Sequence, residues 1–160
     1  MPPTAGWKQR ESDNVRIRSR RESDIPPLVS LADAVRAVDR WPPHRNGPTK
    51  DFIASNVQLA ALVAEDDGEI IGHVAVHDRS AGSVMALASD AIGVEASGLA
   101  VVARLFVDPE RRGLGIGMTL LEASVEATIA AGRHPILDVW TELDDAIALY
   151  ERAGWMRLAK

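Results

Sequence analysis

The sequence predicts an α/β fold in which one sheet packs against helices, and three patterns support this prediction. Residues 99–107 are almost entirely apolar, which is typical of a central strand covered on both faces. Asp67-Gly68 separates two apolar runs, and aspartate-glycine is a strong hairpin signal because glycine tolerates the positive φ of tight turns. A glycine-rich turn then joins the apolar strand to apolar residues at helical spacing.

The other elements follow from periodicity and from turn and capping residues. We expect strands at 15–20, 59–64, 70–76, 99–107, 135–140 and 155–160. We expect helices at 24–40, from Thr49 onward, between Met118 and the C-cap Gly132, and at 144–153. Residues 79–97 are small and leave two alternatives open, a loop or a short helix at 84–91. Residues 1–14 are polar and aperiodic, so we expect a flexible N-terminus followed by a single domain over 15–160.

The composition argues against several classes of protein. The chain of 160 residues has a formal net charge of −5, which argues against general nucleic-acid binding, and it has no cysteine for disulfides or thiolate chemistry. It shows neither a signal sequence nor an apolar run long enough for a membrane span, so we expect a cytoplasmic protein. Four arginines between positions 16 and 21 alternate with Val15 and Ile17, which favours the solvated face of an edge strand over a binding patch.

The glycine-rich turn, Arg112–Gly117, has the form R-x-x-G-x-G between a strand and a helix. Main-chain N–H groups at the positive end of a helix dipole suit a phosphate. A dinucleotide fingerprint needs G-x-G-x-x-G, but its third glycine would fall on Met118 or Leu120, which disfavours a nicotinamide-dependent oxidoreductase. A P-loop needs a lysine that Gly117-Met118-Thr119 lacks. A tight turn that merely packs beneath a strand is the structural alternative.

Residues 146–155, A-I-A-L-Y-E-R-A-G-W, form a second motif near the C-terminus. With the strand, the proline at 109 and the glycine turn, this segment resembles the GNAT superfamily of N-acetyltransferases over roughly residues 15–158. The resemblance implies a single acetyltransferase domain with a mixed, mostly antiparallel sheet of six or seven strands, splayed at the cofactor site. It implies that acetyl-CoA is the cofactor and that an acetyl group passes to a primary amine by direct attack in a ternary complex.

The resemblance also implies roles for individual residues. Main-chain groups of three strand residues would pair with the pantetheine arm: Leu105, Phe106 and Val107. Backbone amides of the turn would hold the pyrophosphate, with added charge from the arginine: Arg112, Gly113, Leu114, Gly115, Ile116 and Gly117. Tyr150, the single tyrosine of the chain, would act as general acid on the leaving thiolate. Its alternative role is that of a core aromatic on an amphipathic helix.

The general base is not evident, because the central strand offers Arg104 and no acid. His77 is the preferred candidate because it lies at the end of the preceding strand, and weaker candidates are His73, Glu65, Asp78 and Glu142. By resemblance, Trp41 and His44 lie in a segment that shapes the acceptor pocket, although the tryptophan suits a core position equally. The His, Asp and Glu residues show no spacing for a metal site.

Two departures from the family pattern keep alternatives open. Leu143 stands where the family often has an asparagine that touches the cofactor, and the central strand lacks an acid. Both favour the rival interpretation, a non-catalytic acyl-CoA-binding sensor or interaction module on the same fold.

Only one strand follows the last helix, so the open edge suggests a homodimer. The acceptor is expected to be a small-molecule amine or, second, a peptide amine, and we expect neither nucleic-acid nor membrane partners.

Overall fold

The structure is a computed structural model that describes residues 15–40, 49–139 and 143–158. The strands are β1 (Val15–Ser19), β2 (Gln58–Asp66), β3 (Glu69–His77), β4 (Leu99–Val107) and β5 (His134–Leu137). The helices are α1 (Ile25–Asp39), α2 (Thr49–Ile53), α3 (Gly82–Ile92), α4 (Ile116–Ala130) and α5 (Asp144–Arg152). Short 3₁₀ turns lie at Glu22–Asp24, Ala96–Gly98 and Pro109–Arg111. Of the two alternatives for residues 79–97, the chain therefore adopts the helix.

The strands form one sheet in the order β1-β2-β3-β4-β5. The first three pairs are antiparallel, and β4 pairs with β5 in parallel. The β2–β3 hairpin turns at Asp67 and Gly68, whose φ values of +48° and +85° are the positive values that a type I′ turn requires. The predicted mixed, mostly antiparallel sheet with flanking helices is confirmed.

Helices cover both faces of the sheet. On one face, α1 and α2 bury a cluster that includes Leu28, Phe52 and Phe106. On the other face, α4 packs Ile116, Leu120 and Leu121 against the sheet, and residues of α5 lie against this second cluster. The central strand β4 contributes buried residues to both clusters, which explains why its sequence is continuously apolar rather than alternating.

The number of strands differs from the expected six or seven, because the described residues contain five. In particular, residues 155–158 do not continue into the predicted terminal strand. The Trp155 N–H donates to the Tyr150 carbonyl over 3.0 Å, and the two rings lie 6.5 Å apart. This bond closes the end of α5, Trp155 packs against the second apolar cluster, and residues 155–158 form no strand.

Two arginines, Arg18 in β1 and Arg20 just after it, differ from the expected solvated face. Arg18 donates to both carboxylate oxygens of Asp24, over 2.8 and 2.9 Å, and to Glu65 over 2.6 Å. Arg20 contacts His73 inside the molecule. The solvated-face interpretation was wrong for both residues, since long guanidinium side chains reach acceptors that are distant in sequence.

The last strand pair leaves an opening in the sheet. β5 ends at Leu137, whose partner on β4 is Val102, whereas β4 continues to Val107. Among the described residues, positions 103–107 therefore have a neighbouring strand on the β3 side only. The glycine turn and α4 follow directly after this unpaired edge, so the topology places the two features side by side.

Candidate active site

The glycine turn presents main-chain donors to the outside. Gly113 and Gly115 are exposed and have φ values of +84° and +82°, which side chains other than glycine rarely adopt. The first α4 bond runs from the Thr119 N–H to the Gly115 carbonyl over 3.0 Å. Within the described ranges, the amides of residues 113–118 donate to no protein acceptor. A run of free N–H groups at a helix start is the arrangement that binds anions.

Space for an anion lies directly over this turn. A Cβ atom built on Gly113 or Gly115 would meet no atom within 4 Å. A Cβ on Gly117 would lie 3.5 Å from Leu149 and 3.7 Å from Val107. Both distances are ordinary van der Waals contacts, so the third glycine marks where α5 meets the end of β4, while the first two face open space. The cradle fits a diphosphate group.

The end of β4 carries free backbone groups on the side that faces away from β3. The Asp108 N–H donates to the Ile71 carbonyl over 2.8 Å. Because hydrogen-bonded and non-hydrogen-bonded pairs alternate along an antiparallel ladder, the Val107–Gly72 pair is of the non-bonded kind. The N–H and C=O of Val107 therefore point toward the side on which β5 has ended.

Arg112 is engaged by a partner that the sequence did not indicate. Its two terminal nitrogens donate to the two carboxylate oxygens of Asp39, at the C-terminal end of α1, and one of these bonds measures 2.9 Å. The hydrogen bonds with Asp39 raise the pKa of Arg112. The guanidinium thus lies beside the turn with its charge already paired.

Tyr150 lies on α5, half-buried against the apolar cluster beneath α4 and β4. Its burial raises the pKa of the phenol to about 12, because the anionic form loses hydration there. The hydroxyl therefore stays protonated at physiological pH. The ring packs against the edge of the core, and the hydroxyl keeps the proton that a general acid needs.

His77 and His73 lie on the opposite side of the sheet from Tyr150. His77 pairs with Val101 near the start of β4, about 10 Å along the strand from Arg104 at a rise of about 3.3 Å per residue. It is 6% exposed, and its Nε2 has no partner among the described residues. Burial, and secondarily the charge of Arg104, lower the pKa of His77 to about 4. Burial likewise lowers the pKa of His73 to about 4.

The other candidates are less favourably placed. Glu65 is paired with Arg18 and Asp78 with Arg79. Trp41, His44 and Glu142 lie outside the described residues. Leu143 precedes α5, and its carbonyl accepts from the Ile147 N–H over 3.0 Å, so its main chain begins the helix. Sequence reasoning missed Asp39 altogether, since nothing local to α1 marks it as a partner of the turn.

The described residues offer neither a cluster of metal ligands nor a membrane-spanning helix. Residues 15–40, 49–139 and 143–158 contain no group of three or more His, Asp or Glu side chains that could hold a metal ion. No helix within the same ranges has the length and apolar character needed to cross a membrane.

Comparisons with known proteins agree with this geometry. Residues 28–155 match the model of the acetyltransferase (GNAT) family. Over 78 residues the chain is 32% identical to an uncharacterized N-acetyltransferase of Methanocaldococcus jannaschii; the match covers 42% of this chain and 34% of that protein. The chain thus spans only about a third of that relative's length.

Solved structures share the fold. A GNAT family acetyltransferase from Brucella melitensis in complex with acetyl-CoA is 26% identical, with a TM-score of 0.60 over 89% of this chain and 83% of that one. An aminoglycoside N-acetyltransferase in complex with CoA is 18% identical, with a TM-score of 0.67 over 91% and 90% of the two chains. The family match confirms the expected resemblance to GNAT acetyltransferases, and the acetyl-CoA complex of the Brucella melitensis protein agrees with acetyl-CoA as the expected cofactor. The chain belongs to the GNAT family of acetyltransferases.

Proposed function

We propose that this protein transfers an acetyl group from acetyl-CoA to a primary amine by direct attack, with both substrates bound together. One observation carries the proposal: an exposed turn of free amides adjoins the unpaired edge of β4 and the helix that bears Tyr150. Acetyl-CoA supplies an acetyl group activated as a thioester. The remaining work of binding, orientation and proton transfer falls to side chains and backbone of this chain.

Binding is divided between two backbone surfaces. The amides of residues 113–118 suit the diphosphate, because charge-assisted hydrogen bonds from main-chain donors need no side chain there. The outward groups of Val107 suit the amides of the pantetheine arm, and Leu105 lies two positions earlier on the same strand. By the same alternation the N–H and C=O of Phe106 face His73 on β3, so we do not expect Phe106 to pair with the pantetheine arm through its main chain. Since Asp39 already holds Arg112, we infer that the arginine contributes to binding only when it exchanges that partner for phosphate.

Tyr150 is proposed as the general acid. A thiolate leaves when the amine attacks, and a hydroxyl placed near the sulfur lowers the cost of that charge. Because burial keeps the proton on Tyr150 Oη up to a pKa of about 12, the acid is in its active form at neutral pH without help from a second residue.

The magnitudes argue against His77 as a strong base. An amine of pKa about 10.4 loses its proton to solvent at pH 7 for about 4–5 kcal/mol. Transfer of that proton to an imidazole of pKa about 4 would cost roughly 9 kcal/mol. We therefore infer that the amine reacts after losing its proton to solvent. The buried Nε2 of His77, which has no partner among the described residues, would then hydrogen-bond a water molecule, as donor or acceptor according to the tautomer of the ring.

We propose a small-molecule amine as the first acceptor class and a peptide amine as the second. The net charge of −5 favours approach of a cationic substrate over an acidic one. The related aminoglycoside N-acetyltransferase acts on a small amine-bearing substrate, which supports this order. Trp41 and His44 stay predicted contributors to the acceptor pocket.

A thiol-release assay over a panel of amines tests the proposal. Replacement of Tyr150 by Phe should lower kcat by about 10²- to 10⁴-fold, the usual contribution of a positioned acid, with little change in the Kd of acetyl-CoA. Glu151→Gln, on the exposed neighbouring position of α5, is the matched control and should retain activity. Tight acetyl-CoA binding without turnover on any amine would instead support the acyl-CoA sensor. Equal activity of Tyr150→Phe and wild type would exclude the tyrosine as acid.

The predicted homodimer is a separate proposal. β5 is the edge strand on the side where the family's closing strands would pair, and among the described residues no strand covers that edge, so it offers backbone groups to a second copy. Light scattering at micromolar concentration should give the mass of a dimer, and a monomeric mass would contradict it.

A further inference from the structure

β4 contains one extra residue relative to β3, just where the sheet opens. His73 pairs with Phe106 and Ala75 pairs with Ala103, so Val74 faces two residues of β4, Arg104 and Leu105. Arg104 has a φ of +56°. Glycine is the usual residue at a bulge of this kind, and an arginine holds such a backbone conformation only when its surroundings enforce it.

His73 supplies the enforcing contact. It is fully buried, its Nδ1 lies 2.9 Å from the Arg104 carbonyl oxygen, and its Nε2 lies 3.1 Å from Nη1 of Arg20. A guanidinium only donates, so Nε2 must accept and the proton must sit on Nδ1, where it donates to the carbonyl. The ring also stacks on Phe106 with centroids 5.2 Å apart. The two contacts fix the backbone on both sides of Leu105.

Arg20 is itself held in place. It donates to the Ile53 carbonyl and to Gln58 Oε1, each over 2.7 Å. The Arg104 side chain lies over the Phe52 ring, 3.9 Å from its centroid. The bulge is thus anchored to α2 and to the start of β2, two elements distant from it in sequence.

The bulge matters because it stands between the last β4–β5 pair, at Val102, and the strand end proposed to bind acetyl-CoA. We propose that His73, backed by Arg20, is a positioning residue for acetyl transfer, which holds the Arg104 carbonyl and so directs the Leu105 amide toward the reacting thioester. This inference rests on the proposed function. It assigns His73 an indirect role, in contrast to the role of base that the sequence left open for it.

Two isosteric variants separate the roles of the ring nitrogens. His73→Asn keeps an N–H near the position of Nδ1, whereas His73→Gln moves its amide toward the position of Nε2 and loses that donor. We expect His73→Gln to lower kcat at least tenfold with less than a threefold change in the Kd of acetyl-CoA, and His73→Asn to retain most of kcat. Addition of Arg104→Gly to His73→Gln should recover at least fivefold in kcat, because glycine adopts the positive φ without enforcement.

A purely structural role would lower kcat and thermal stability together in both single variants, without recovery in the double variant, and would overturn the proposal. A measurement that needs no amine acceptor tests the positioning role separately from the proposed transferase activity. The amide resonance of Leu105 should shift on addition of acetyl-CoA in the wild type and in His73→Asn, but not in His73→Gln. If no amine is acetylated and this pattern persists, positioning stands while the transferase proposal falls. If the resonance does not respond in the wild type, the positioning role is wrong.

Discussion

Replacement of Gly115 by alanine tests the anion cradle most directly. The methyl group would meet no protein atom within 4 Å, so the substitution creates no clash. It does force a residue with a Cβ to a φ of +82°, which costs about 1–2 kcal/mol. For a chain of this size that cost lowers Tm by about 2–8 °C. The methyl group would also occupy the space in which we place the diphosphate.

The expected effect on binding is larger than the effect on stability. Loss of a single hydrogen bond to a charged group costs about 1.5–3 kcal/mol, which corresponds to roughly a 10- to 150-fold weaker Kd for acetyl-CoA. Gly132→Ala is the matched control, because Gly132 lies past the opposite end of α4 with a φ of +75° and equally open surroundings. It should lose similar stability and bind normally.

Calorimetric titration gives the Kd of acetyl-CoA for both variants, and thermal unfolding gives their Tm. The reasoning fails if Gly115→Ala binds as tightly as Gly132→Ala, since the amides of the turn would then not hold the diphosphate. It also fails if both variants lose binding in proportion to their loss of stability.

Two further predictions follow from burial and charge pairing. Because burial lowers the pKa of His73 and His77 to about 4 from a usual value near 6.5, each stabilises the fold above pH 6.5, and about 3 kcal/mol per residue is lost as the pH falls toward 4. The free energy of unfolding, measured in urea between pH 7.5 and 4.5, should show this loss in the wild type and a smaller loss in His77→Gln. An equal dependence of the free energy of unfolding on pH in both proteins would refute the prediction. Asp39→Asn frees Arg112 and should tighten acetyl-CoA binding about two- to fivefold at low salt, an effect that salt weakens. Asp33→Asn, on the same helix, is the control, and identical titration curves would show that the arginine does not reach the ligand.

Features encoded by neighbouring residues were predictable from the sequence. The hairpin at Asp67-Gly68, the bounds of β4 and the turn from Arg112 to Gly117 each depend on the backbone preferences of a few consecutive residues. The terminal strand was wrong because its formation depends on a neighbouring strand, which β5 is too short to provide. The pattern of neighbouring residues predicts that a strand or turn forms, but it does not predict which other strand that element pairs with.

The contacts that shape the candidate site were largely beyond sequence reasoning. Arg20 and His73 are 53 positions apart, and Arg112 and Asp39 are 73 positions apart. No periodicity or capping rule links residues at such separations, since the fold alone brings them together. Both histidines are candidate bases from the sequence. Only the structure distinguishes His73, whose two ring nitrogens are both bonded, from His77, whose Nε2 is unpaired among the described residues.

The short β5 has a consequence for how the protein behaves in a cell. Among the described residues, four positions of β4, Leu99 to Val102, pair with this strand, fewer than in any other strand pair of the sheet. Strand pairs held by few backbone hydrogen bonds open at a lower free energy than core strands, and hydrogen exchange and proteolysis both report such opening. A ligand that binds beside this strand pair would stabilise the paired state by mass action. The stability of the protein toward local opening would then rise with the concentration of that ligand.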